Sequence, residues 1–243
     1  MFLLEQLFDF NKRKKEEIDM GYTTTFQGSF QLDRPLDEAH RRYLVSFSET
    51  RRMARLPAIA STLPDRIREA AGLPIGPEGA YYVGGNEDSS VKDHNMPPQG
   101  QPGLWCQWVP NEDGTAIEWD GRGNFYDYVD WIKYLINNFL GPWGYKLNGE
   151  VEWRGEEMND VGTITIKDNV VEALSRQEKE TKRIVGFMDE IDVLKEALKS
   201  ILEYKKNPIR RNQYAGTSYK APDWIQTKDA IFNIAENALK KVT

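Results

Sequence analysis

The sequence predicts an α+β fold: an antiparallel sheet with two helices on one face, split β-α-β-like, followed by a C-terminal helical hairpin. Three observations predict it. Short β-branched and aromatic segments recur between turn signals. Two longer segments carry apolar residues three and four apart. Their order is strand, helix, two strands, helix, two strands, which an antiparallel sheet with its helices on one side satisfies.

Residues 1–19 read as an appended amphipathic helix, with Leu3, Leu4, Leu7, Phe8 and Phe10 clustered ahead of a basic-acidic run. The α+β domain spans residues 20–173. Its first strand is "YTTTFQGSFQL" (22–32), with Gly28 as an expected bulge. Pro35, Asp37 and Glu38 suit a helix start. Leu36, His40, Tyr43, Leu44 and Phe47 then form one stripe, on which His40 reads as a packed residue and not a ligand. Residues 56–103 are rich in Pro and Gly and hold one short helix, Asp65–Ala71. So long a stretch with little regular structure is unusual inside a domain, and such loops are often functional or mobile.

"LWCQWV" and "TAIEW" read as strands joined by "PNEDGT", whose Asp113-Gly114 is a strong hairpin signal. The helix "NFYDYVDWIKYLINNFLGPWG" follows, capped by Asn124 and ended by Gly141-Pro142. Its buried stripe is Phe125, Tyr128, Val129, Ile132, Leu135, Ile136 and Phe139. "YKLNGEVEW" and "GTITIK" complete the sheet. Alternation puts Ile117, Trp119, Leu147, Val151, Trp153, Ile164 and Ile166 on the core face. Glu118, Asp120, Asn148, Glu150, Glu152, Thr163 and Thr165 take the opposite face. "LSRQEKETKR" reads as a linker, and residues 174–243 as the hairpin. Its seam is Ile184, Phe187, Ile191, Leu194, Leu198 and Ile201, and its second helix is "DWIQTKDAIFNIAENALKKV".

Bulk properties remove several functions. The net charge of −6 gives no global attraction to nucleic acid or anionic membranes. One cysteine, Cys106, excludes an internal disulfide and fits a reducing, cytoplasmic setting. No apolar run approaches the roughly 18 residues of a membrane helix. "MFLLEQLFDFNKRKKEEID" is no signal peptide, because acids interrupt its apolar stretch and its basic cluster follows instead of preceding. Charge is segregated: Glu78 to Asp168 holds 16 acids against 6 bases, a net of −10, which leaves +4 elsewhere.

No catalytic, cofactor or metal residue emerges. His40 and His94 lie far apart, one cysteine makes no thiolate site, and no zinc-protease or EF-hand motif occurs. No glycine-rich phosphate loop occurs either. Cys106 shares a strand face with Leu104 and Trp108, so it reads as a buried, inert thiol. Two surfaces remain. Glu118, Asp120, Glu150 and Glu152 share a sheet face and converge if their strands are neighbours; acid-base work or divalent-ion binding is the alternative to a solvated face. Arg41, Arg42, Arg51, Arg52 and Arg55 form a phosphate patch candidate. Nucleic acid is disfavoured, because the aromatics are interleaved with acids.

Six of the seven tryptophans lie between Trp105 and Trp153. Trp119 and Trp153 read as core. Trp105 and Trp108 face opposite ways on one strand, Trp131 and Tyr134 lie off the main helical stripe, and Trp143 sits in a turn. Trp105, Trp131, Tyr134 and Trp143, with the four acids, therefore form a candidate protein interface.

"LPIGPEG", "PPQGQPGLWCQWVPNEDGTAIEWDG" and "FLGPWGYKLNGEVEWRGEE", among other stretches within residues 20–171, resemble a family of uncharacterised proteins of bacteriophages and bacteria. The W-C-Q-W-V-P and G-P-W-G-Y-x-L-N-G-E-V-E-W blocks carry the resemblance. It implies a phage or prophage gene product and assigns no catalytic residue. The expectation is a phage accessory protein that binds a host or phage protein, with homo-oligomerisation through the hairpin as a further possibility. The alternatives are a carboxylate-based enzyme or ion binder, and a nucleic-acid binder using the arginines.

Overall fold

The computed structural model describes residues 21–206. The proposed helix 1–19 and the second helix of the hairpin lie outside the described residues. The chain separates into two compact units, residues 1–177 and 178–243.

Six strands form one antiparallel sheet. β1 (Thr25–Leu32) is central. On one side lie β6 (Leu147–Arg154), β7 (Val161–Lys167) and β8 (Val170–Ser175). On the other lie β5 (Ala116–Trp119) and then β4 (Trp108–Pro110). A two-stranded ribbon, β2 (Ala54–Arg55) with β3 (Val91–Asp93), stands apart from it. β5 and β6 both run antiparallel to β1, so the chain between them links two like-directed strands across an intervening one.

Gly28 is not at a bulge: pairing runs unshifted from Thr25↔Arg154 to Leu32↔Leu147. Its φ is +108°, and a Cβ there would sit 2.7 Å from the Glu150 carbonyl oxygen, so the close approach of two strands is what requires glycine. Gly162 makes room differently. It pairs with Trp153, and a Cβ would enter that indole at 2.2 Å. The linker expected over residues 174–183 is not one: β8 takes up residues 174 and 175, and a long helix begins at Arg176. Asp168 and Asn169, at φ +48° and +71°, make the two-residue turn that leads into β8.

Two helices cover one sheet face. α1 (Glu38–Glu49) buries Tyr43, Leu44 and Phe47 as its stripe requires. Two short helices follow, α2 (Pro57–Ala60) and α3 (Arg66–Ala70). α4 (Tyr128–Leu135) starts later than expected. Asn124 is not its cap; its φ is +60°, and Asp127 occupies the N-cap position without a side-chain bond. α4 continues into a π turn, Ile136–Leu140, closed by Gly141 N–H donating to the Ile136 carbonyl five residues back at 2.8 Å. Phe30, Ile117, Leu147, Val151 and Ile164 of the sheet meet Tyr43, Phe47, Ile132 and Phe139 of the helices in one core. Phe26 packs edge-on against Trp108, Trp119, Phe125 and Tyr128, with centroids 4.9–5.8 Å apart. The other sheet face carries Gln27, Gln31, Glu150 and Glu152 into solvent.

The Pro/Gly-rich stretch forms a third layer, outside the helices, and buried polar groups organise it. Arg52 is fully buried. Its guanidinium donates to the carbonyls of Phe47 (3.4 Å), Ala80 (3.0 Å) and Tyr82 (2.6 Å) and lies 4.1 Å from the Phe47 ring centroid. Among the described residues no carboxylate pairs with it. Arg55, equally buried, donates to Asp88 (2.6 Å) and Ser90 (2.9 Å). Asp65 caps α3 by accepting from Arg68 N–H at 3.2 Å, and its other oxygen accepts from Val83 N–H at 2.9 Å. Tyr81 OH donates to Asn138 at 2.9 Å, tying this layer to the π turn.

α5 (Arg176–Lys206) follows β8 without a break. Ile184, Phe187, Ile191 and Leu194 of its seam are exposed. Among the described residues no helix is long and apolar enough to cross a membrane.

Removing the Arg52 guanidinium leaves three carbonyls without their donor. Arg52→Met is expected to cost about 3–5 kcal/mol in urea unfolding. A loss below about 1 kcal/mol means that the outer layer holds without this clamp.

Candidate functional site

The structure separates the four aromatic anchors. Trp131 is 1% exposed and belongs to the core. α4 is covered by the sheet on one side and by the outer layer on the other, so a ring off the sheet-facing stripe is still buried. Trp131 meets Phe47 and Tyr134 edge-on, at 6.1 and 5.7 Å, and Gly103 of the outer layer lies close enough that a Cβ on it would sit 3.6 Å from the indole nitrogen. Tyr134 is partly buried on Phe47 and Phe139. Trp143 stacks on His40 at 3.9 Å, and Arg34 donates to its carbonyl at 3.3 Å. His40 is therefore a packed residue, with Nδ1 3.0 Å from the Tyr145 hydroxyl. Of the four, Trp105 remains exposed, at 39%.

Trp105 precedes β4 and lies outside any strand, since the ladder with β5 reaches back no further than the Gln107 carbonyl, which accepts from Asp120 N–H at 3.0 Å. It lines a cavity of about 230 Å³ with Ser48, Cys106, Gln107, Arg122 and Gly123. Ser48 comes from the last turn of α1. Gln107 is fixed by two bonds: Trp119 Nε1 donates to its Oε1 at 3.1 Å, and its Nε2 donates to the Gly123 carbonyl at 3.2 Å. The Arg51 guanidinium stands 6.0 Å from the Trp105 ring centroid, held by the His94 carbonyl at 2.9 Å and Asn95 at 3.2 Å. Arg122 reaches Asp120 at 3.4 Å. An exposed indole beside two guanidinium groups is suited to an aromatic or acidic side chain of a partner. Cys106 adds no nucleophile, since burial pushes its thiol up to about 12.

The acids do not converge. β1 lies between β5 and β6, so Ser29 stands opposite Glu150 and Gln27 opposite Glu152, while Glu118 is on the far side of β1. Glu150 accepts from Thr165 Oγ1 at 3.2 Å. Asp120 lies beyond the end of β5, only 10% exposed in its side chain, and burial raises its carboxyl above the ordinary range. Among the described residues no three His, Cys, Asp or Glu side chains could hold a metal ion.

The arginine patch is dispersed. Arg52 and Arg55 are interior clamps, Arg41 is paired with Glu38 at 3.1 and 3.2 Å, and Arg51 stands by the Trp105 ring, held by the His94 carbonyl. Arg42 alone among the five is exposed. Arg122, Gln107 and Ser48 escaped the sequence reading; the one local signal was the Asp-Gly-Arg turn, residues 120–122, after a strand. No family model, curated protein or solved structure matches the chain.

At pH 8 a thiol near 12 is about one part in ten thousand thiolate. Native Cys106 is expected to resist a colourimetric disulfide reagent and to react fully once denaturant unfolds the chain; rapid native reaction means the cavity floor opens. Burial, the largest influence on His40, lowers its pKa below 6.5, with Asp37 opposing and Arg34 assisting. The unfolded chain therefore binds the proton more tightly. The contribution is whole above about pH 6.5 and is lost as pH falls through that value toward the lowered one. His40→Gln is expected to flatten the fall of melting temperature between pH 7 and pH 5; an unchanged slope assigns the fall to other groups.

Proposed function

We propose that this chain is a phage or prophage accessory protein that acts in the host cytoplasm by binding another protein, with Trp105 as an anchor. The observation that carries the reading is the exposed Trp105 ring, with the Arg51 guanidinium 6.0 Å from its centroid and Arg122 lining the same cavity. Tryptophan and arginine are the residues most enriched where interfaces concentrate their binding energy. The rigid seat of the ring supports it too: Gln107 and Trp119 hold the cavity wall before any partner arrives. The exposed seam of α5 supports a second contact, a helical hairpin or homo-oligomer built on residues 174–243.

Affinity capture from host lysate with the full chain, read by mass spectrometry, tests the anchor. A partner retained by the wild type is expected to be lost by at least about tenfold with Trp105→Ala, a change that costs the fold under about 1 kcal/mol. Equal retention removes Trp105 from the interface.

The carboxylate reading remains the alternative, supported by Glu150 and Glu152 side by side on an open face. On the protein-binding reading, Mg²⁺ and Ca²⁺ leave the melting temperature unchanged. Specific binding at one hundred times Kd adds roughly 2.7 kcal/mol. A saturable rise abolished by Glu150→Gln favours the ion-binding protein.

A further inference from the structure

A second cavity, of about 360 Å³, lies between α1 and α3. Its floor is Ala39, Ile67 and Ala70, and its charged walls are Glu38, Arg42 and Arg66. Both oxygens of Glu38 accept from Arg41, and neither wall arginine bonds to it. Glu69 of α3 is likewise engaged, by Arg68 at 3.3 Å. Among the described residues no carboxylate pairs with Arg42 or Arg66. Two exposed guanidinium groups thus border one small apolar groove, and the carboxylates beside it, Glu38 and Glu69, are paired with Arg41 and Arg68 instead.

We propose that this groove docks a short acidic segment of a protein partner, with aliphatic side chains on the floor and carboxylates at Arg42 and Arg66. The chemistry of the floor selects among anions. It presents methyl and methylene groups and no aromatic ring, so a nucleic acid has nothing on which to stack its bases. A free phosphate gains nothing from the apolar floor. An amphipathic peptide satisfies both the floor and the rim, and the volume sits at the small end of ligand pockets, about 300–1,000 Å³. The inference rests on the reading of the chain as a protein binder but uses another surface. Arg42 and Ser48 are six residues apart on α1, about 120° apart around the helix, so the groove and the Trp105 cavity face different ways.

The test uses the full chain and a fluorescein-labelled peptide of repeated Leu-Leu-Glu, read by anisotropy. The same peptide with Lys for Glu, and inorganic phosphate at matched ionic strength, are the comparison probes. The acidic peptide binds, the basic one does not, and phosphate does not displace it. Arg42→Gln with Arg66→Gln weakens binding by about tenfold, the sum of two exposed charge pairs. Ala70→Glu places a carboxylate on the floor, blocks the groove, and abolishes binding with the circular dichroism spectrum unchanged. Trp105→Ala leaves this binding intact, so the groove and the Trp105 anchor succeed or fail separately. No binding of the acidic peptide at about 1 mM overturns the proposal. So does equal binding of the basic peptide, displacement by phosphate, or indifference to both sets of groove substitutions.

Discussion

A buried guanidinium organises the outer half of this domain. Arg52 has no carboxylate to neutralise it among the described residues, and so it takes up main-chain carbonyls instead. Two of those carbonyls, Ala80 and Tyr82, belong to a stretch with no ladder of its own, the third, Phe47, lies in the last turn of α1, and an interior carbonyl without a donor is costly. The arginine needs acceptors and the loop needs donors, and the two terminal nitrogens of Arg52 find theirs here, although its buried Nε has no partner. Nearby, Arg55 donates to the Gly85 carbonyl while pairing with Asp88, and Asp65 accepts from Val83 N–H. Nearly fifty residues of Pro- and Gly-rich chain thereby become a packed layer.

That layer explains much of the aromatic concentration in the middle of the sequence. A helix pressed between a sheet and a second surface must be apolar on two sides. α4 buries Ile132, Leu135 and Phe139, and also Trp131. Trp108 and Trp153 fill the sheet side, while Trp119 and Trp143 are partly buried at its margins. One ring escapes this arrangement. Trp105 lies where the outer layer gives way to β4, at the end of α1, and it is there that the surface combines an open indole with fixed cations.

The sheet, α1, the short helix at residues 65–71 and the hairpin turn at Asp113-Gly114 were legible, because alternation, 3–4 spacing and turn chemistry are local signals. β8 was not read, since "VVEALS" runs straight into a helical segment and its Asp-Asn turn is brief. The misplacement of Trp131 had a different origin. Periodicity marks the face toward the sheet and is silent about a second layer made of irregular chain. The arginines misled for the same reason: a basic residue before a loop looks like surface until the carbonyls it meets are known. The four acids were correctly placed on one face, apart from Asp120 beyond the strand end, but strand order decides whether faces bring residues together. β1 between β5 and β6 kept them apart.

The sheet ends on short or charged margins. β4 has three residues and closes on Pro110, which has no N–H to offer an incoming strand. β8, at the other margin, carries Glu172 in its middle. Such borders resist edge-to-edge growth. A chain dense in tryptophan, with an exposed apolar seam on the helix that follows its sheet, is thus guarded against the route by which β proteins most readily aggregate.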